Sequence, residues 1–203
     1  MNTRLLLRLA VIAVASFGAT AGILAFWPAS ERAPATTEPA TTGQPLVGGP
    51  FALTDTEGKR RTDAEFRGKH MLVFFGFTNC PDFCPTALMT ITQTLEKLGP
   101  KADNVVPVFI TVDPERDTPA QLKNYAQNFD TRIVMLTGSA EDVAAAARAY
   151  RVFYAKRPLE KAGEYTMDHS VYIYLMGPDG KYITHFRHAI QPDQFAETLS
   201  KRL

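Results

Sequence analysis

MLVFFGFTNCPDFCPTALMTITQTLEKL, residues 71–98, reads as a strand, a short loop and a helix in one pass. MLVFFGF (71–77) is a continuous apolar run, the pattern of a central strand covered on both faces. Thr86 to Leu98 repeats apolar residues at helical spacing, through Leu88, Ile91, Leu95 and Leu98. The loop between them holds Cys80 and Cys84, the chain's 2 cysteines, in Cys80-Pro81-Asp82-Phe83-Cys84.

Working outward, VVPVFITV (105–112) is a second continuous apolar run. A helix opened by Thr118-Pro119 ends near Phe129, a strand follows at Ile133 to Leu136, and Ser139 with Asp142 gives the capping signal of the next helix. VYIYLM and KYITHF, joined by Gly-Pro-Asp-Gly, form a hairpin, and Asp193 to Arg202 closes the chain as a helix. An earlier short hairpin runs from Phe51 to Thr62 around Glu57-Gly58. There is no internal repeat. This alternation predicts an α/β domain over 47–203 with right-handed crossovers between parallel strands, a thioredoxin-like fold with an N-terminal hairpin extension. The cysteines then lie after the first central strand, at the carboxyl edge where open α/β sheets keep their sites, and a helix N-terminus there favours thiolates.

The first 46 residues read differently. Leu9 to Trp27 is uncharged and close to the roughly 20 residues a helix needs to cross a bilayer. Arg4 and Arg8 precede it and no basic residue follows until Arg32, so the expectation is a single transmembrane anchor over 9–27. Residues 1–8 are then cytoplasmic and the rest lies outside. A cleaved signal peptide ending near Ala33-Pro34-Ala35 is the alternative, disfavoured because its apolar region is usually about 7–15 residues. No cysteine near the span could carry a lipid. Residues 28–46 are rich in Pro, Ala and Thr and read as a flexible tether. With Arg4, Arg8, Arg32, Glu31 and Glu38 set aside, the basic and acidic side chains of the remainder balance, which argues against nucleic acid as a partner.

Residues four apart share a helix face, so both sulfurs can point at one guest. Two soft donors suit copper, above all Cu(I), or zinc, yet they make an incomplete site, so a third ligand must come from elsewhere. Pro81 and Pro85 restrict the loop. Of the 4 histidines, His169 stands before the first strand of the C-terminal hairpin, in a loop that passes beside the cysteines in a thioredoxin-like fold. Thioredoxins carry a cis-proline there; this chain has Asp168-His169-Ser170. His70 begins the first central strand at its far edge, and His185 and His188 read as packing or solvent contacts.

FFGFTNCPDFCP (74–85), TVDPERDTP (111–119) and YTMDHSVYIYLMGPDG (165–180) together resemble the SCO/SenC family of membrane-anchored copper proteins that help assemble cytochrome c oxidase. The resemblance implies a mononuclear copper site, Cu(I) or Cu(II), with Cys80, Cys84 and His169 as ligands. It also implies transfer by stepwise ligand replacement to the copper A centre of oxidase subunit II, after loading from an upstream copper donor. The domain would sit on the periplasmic side of the inner membrane, where the tether raises its effective concentration near the oxidase.

Asp168 could orient His169 or cap its loop. Asp113 could adjust charge at the site or fix the turn before the Pro119 helix. Arg116 and Asp117 read as a solvated pair or turn residues, and Met89 and Met167 as space-fillers.

The rival class is a thiol-disulfide oxidoreductase using Cys80 and Cys84 as a redox pair on the oxidase cysteines. His169 favours copper over that reading, because a disulfide exchanger does not require it. A peroxiredoxin is disfavoured: Thr78 lies two rather than three positions before Cys80, and the expected upstream proline is missing. A structural disulfide would close too short a loop to stabilise much.

Overall fold

Turn chemistry and apolar runs set the order of elements in the computed structural model, which describes residues 47–203. β1 (Ala52–Asp55) and β2 (Arg60–Thr62) form the first hairpin. Then come β3 (His70–Gly76), α1 (Phe83–Leu98), β4 (Val105–Thr111), α2 (Pro119–Ala126), β5 (Val134–Thr137) and α3 (Ala140–Ala149). β6 (Tyr154–Pro158), β7 (Tyr165–His169), β8 (Tyr172–Met176), β9 (Tyr182–Arg187) and α4 (Pro192–Ser200) complete the order. The expected span over 9–27 and tether over 28–46 lie outside the described residues. Among the described residues no helix is long and apolar enough to cross a membrane.

One sheet runs β2-β1-β5-β4-β3-β8-β9, with β3, β4 and β5 parallel and β8 antiparallel to β3. Leu72, Val73, Phe74 and Phe75 are all fully buried, so β3 is covered on both faces as its apolar run requires. Each such side chain contributes roughly 1.5–3 kcal/mol on burial. The first hairpin is built into the sheet, since β1 pairs with β5 as well as with β2.

Helix boundaries follow local chemistry. Thr118 Oγ1 accepts from the Gln121 amide at 3.3 Å and Ser139 Oγ from the Asp142 amide at 3.1 Å, so both sequence-read caps are present. α2 ends at Ala126, short of Phe129, and β5 lies one residue later than expected. α1 starts at Phe83, three residues before the apolar periodicity begins, because the Cys84–Pro85 turn is already helical. It buries Cys84, Ala87, Leu88, Ile91, Leu95 and Leu98 along one stripe and packs against α4.

The two cysteines do not share a helical turn. Cys80 precedes Pro81, which disfavours helical backbone at the residue before it, and Asp82 adopts φ −142° and ψ −65°, so only Cys84 lies in α1. Cys84 is inserted against Gly76 at the end of β3. A Cβ at Gly76 would sit 2.9 Å from Cys84 Sγ and 2.8 Å from the Phe109 ring. Gly76→Ala is therefore expected to cost about 1–3 kcal/mol through overpacking. Urea unfolding checks this: the midpoint falls with an unchanged slope, and an unchanged midpoint would mean the close approach is not tight.

Candidate functional site

The loop after β3 and the strand β7 meet at the carboxyl edge of the sheet. Cys80 and Cys84 are free thiols, 8% and 0% exposed. Asp82 precedes α1 without capping it through its side chain; Cys80 Sγ instead accepts from the Cys84 amide at 3.4 Å. The helix N-terminus is thereby turned toward a sulfur, which favours negative charge on it.

His169 is the last residue of β7, which pairs with β6 in a separate two-stranded sheet, rather than a loop residue before β8. That hairpin is hard to read from sequence because β6 offers Lys156, Arg157 and Pro158, all exposed, in place of alternating apolar residues. Its register sets His169 opposite Tyr154, and the Ser170 amide donates to the Phe153 carbonyl at 2.9 Å. The imidazole meets the rings of Phe74 and Phe77 edge-on, centroids 6.3 and 5.7 Å away. His169 Nδ1 lies 2.9 Å from the Ser170 carbonyl oxygen and donates to it, which turns Nε2 toward the cysteines, 3.5 Å from Cys84 Sγ.

The thiols are unequal. The hydrogen bond from Cys84 pulls the Cys80 thiol down to about 4 against the penalty of burial, aided by His169 and by the amides of Cys84 and Asp82. Giving that hydrogen bond, together with burial and the nearby Cys80 charge, holds the Cys84 thiol far above its ordinary range. Cys80 borders a cleft of about 430 Å³ lined also by Phe83, Arg157, Met167 and His169.

Other sequence candidates fall as follows. Asp168 alternates to the opposite face of β7 from His169, and its carboxylate pairs with Arg157 at 3.3 Å; the group on His169 Nδ1 is the Ser170 carbonyl. Asp113 is buried and accepts from the Tyr165 hydroxyl at 2.9 Å and from Arg116 Nε, tying the end of β4 to β7. Arg116 and Asp117 are not a solvated pair. Asp117 is fully buried and accepts from the Thr78 amide (3.0 Å), the Thr78 hydroxyl (2.6 Å) and the Thr111 hydroxyl (2.6 Å). Burial raises its pKa while these donors oppose the rise. Arg116 Nη1 donates to the Tyr165 carbonyl at 2.9 Å, and its guanidinium lies 3.7 Å from the Tyr165 ring centroid. This network braces both arms of the site. The available signal was a run of polar residues directly after a central strand, at the edge where sites form. His70 starts β3 at the far edge, and His185 Nδ1 lies 2.6 Å from the Tyr182 hydroxyl. His188 sits nearer the site than expected, its ring 5.0 Å from that of Phe83.

Among the described residues no group of three or more His, Cys, Asp or Glu side chains is set for a metal ion as it stands. The strand order and the seat of the dithiol define the class: a thioredoxin-like domain with an imidazole facing its cysteine pair. The SCO1/SenC family model matches residues 39–203, and the chain belongs to that family. It is 39% identical over 163 residues to the human protein SCO1 homolog, mitochondrial, a match covering 79% of this chain and 54% of that relative. Among solved structures, Bradyrhizobium japonicum ScoI with copper bound is similar at TM-score 0.72 and 46% identity, covering 77% of this chain and 99% of that one. BsSco is a Sco-family cytochrome c oxidase assembly protein with an identified disulfide switch. It is similar at TM-score 0.61 and 28% identity, covering 78% of this chain and 95% of that one.

In the metal-free, reduced protein, iodoacetamide is expected to label Cys80 before Cys84. The rate should stay nearly flat from pH 8 to about 5 and fall only as pH nears about 4. An ordinary thiol would slow about tenfold per unit below roughly 8.5. Peptide mapping of the alkylated protein distinguishes the two; tenfold loss per unit would show that Cys80 is not held as a thiolate.

Proposed function

We propose that this chain is a membrane-anchored copper carrier, binding copper through Cys80, Cys84 and His169 and delivering it to the copper A centre of cytochrome c oxidase subunit II. The observation that carries the reading is the 3.5 Å approach of His169 Nε2 to Cys84 Sγ. Nitrogen and sulfur donors about 2.0 and 2.3 Å from one ion, and roughly 110–120° apart, stand about 3.5–3.7 Å from each other. The pair is thus spaced for a shared ion, and Cys80 supplies the second sulfur after a small adjustment of the 80–82 loop. Copper bound to a 46% identical relative of the same fold supports the choice of metal.

Two thiolates and one imidazole give Cu(I) a soft, three-coordinate site. Low coordination leaves a side open, and the cleft beside Cys80 is where an acceptor thiolate would enter. Cys80 and His169, which both border that cleft, are the first ligands to exchange; the fully buried Cys84 releases last. In this reading residues 9–27 anchor the chain by a single span, with 28–46 as the tether and 47–203 on the periplasmic side of the inner membrane. An upstream donor loads the site, and donor, carrier and acceptor meet at one membrane surface.

A second reading, a thiol-disulfide oxidoreductase acting on the cysteines of the oxidase subunit, is favoured by the inequality of the thiols. A lowered Cys80 beside a buried Cys84 is the arrangement of an attacking and a resolving thiol. Cys80 thiolate would attack a partner disulfide, and Cys84 would then close on Cys80 and release the partner's two thiols. The disulfide switch of BsSco supports this use of the pair.

His169→Ala separates the readings. Its Cu(I) affinity, by competition with a chromophoric chelator, is expected to fall by at least about a hundredfold, while its rate of thiol exchange changes little. Affinity equal to the parent's would remove His169 from the ligand set and leave the dithiol reading.

A further inference from the structure

His188 was expected to be an ordinary packing or solvent contact, yet its surroundings are unusual. Its amide donates to the Val171 carbonyl at 3.2 Å, which fixes it beside the segment that follows His169. A cavity of about 440 Å³ is lined by both His169 and His188, together with Val171, Tyr172 and Arg187. The Nδ1 atom of His188 is shut off from solvent and has no hydrogen-bond partner among the described residues. Leaving such an atom unpaired costs about 1–3 kcal/mol. The aromatic neighbour at 5.0 Å and 77° is Phe83, which stands between the two cysteines and is 51% exposed. No core holds that ring in place, so it can swing off His188 by rotation about its own side-chain bonds.

Coordination chemistry gives these facts a direction. Three donors satisfy Cu(I), but Cu(II) prefers a tetragonal set with further nitrogen or oxygen ligands. We propose that His188 is a further copper ligand, engaged when the metal is Cu(II): its imidazole becomes the fourth donor beside Cys80, Cys84 and His169 once Phe83 moves aside. With Cu(I), Phe83 stays on His188 and the site keeps three ligands. The Phe83–His188 pair thereby makes the ligand set depend on the oxidation state of the cargo. The inference rests on the copper-carrier reading.

The test uses the full chain loaded with one equivalent of Cu(I). It is then oxidised with one equivalent of hexacyanoferrate(III), which takes one electron from copper and becomes hexacyanoferrate(II). Electron spin-echo modulation counts the coordinated imidazoles. The expected count is two in the parent and in His185→Ala, and one in His188→Ala. Cu(II) affinity in His188→Ala should fall about 10- to 100-fold while Cu(I) affinity stays within about twofold of the parent's. A parent count of one, which needs no variant to fold, overturns the proposal while leaving the carrier reading intact; so does a count of two that survives removal of His188. A parent that takes up no copper overturns both.

Discussion

The approach of His169 to Cys84 joins side chains 85 positions apart in the chain, and the site depends on it. Neither residue could hold that geometry locally. Cys84 is buried in the first turn of α1 because Gly76 leaves room for its sulfur at the end of β3. His169 is delivered by the β6–β7 ladder, set between two phenylalanine edges, and oriented by the Ser170 carbonyl. An oriented imidazole needs no further ordering to bind a metal, which lowers the entropic cost of capture.

The TVDPERD segment is the brace for this arrangement. Asp117 holds Thr78, two residues before Cys80, while Asp113 and Arg116 hold Tyr165, four residues before His169. One short turn after β4 therefore grips both arms, the loop that carries the cysteines and the strand that carries His169. A buried carboxylate is costly unless its oxygens are paired, and Asp117 has three donors on it. Its stiffness contrasts with Phe83, which is half exposed and stands between the two cysteines only in the sequence.

The strands with unbroken apolar runs, the capped helices and the Gly-Pro-Asp-Gly hairpin were legible in the sequence because each rests on local periodicity or turn chemistry. The β6–β7 hairpin was not, since its residues are exposed and charged and only pairing makes them strands. The meeting of His169 with the cysteine loop was legible through the position of the cysteines after a central strand and through the family resemblance. Asp117 was missed because burial of a carboxylate is a tertiary property: nothing in the local run distinguishes it from Glu115, which is exposed and pairs with Lys156. His188 was passed over for a similar reason, its nearness to Phe83 arising only when β9 folds back on β8.

X-ray absorption at the copper edge of the Cu(I)-loaded protein addresses the central claim directly, because it reads the donors without any substitution. The account predicts two sulfurs at about 2.2–2.3 Å and one nitrogen of imidazole type at about 2.0 Å. A shell of sulfur alone, or one sulfur with several light atoms, would contradict it and return the site to a plain dithiol.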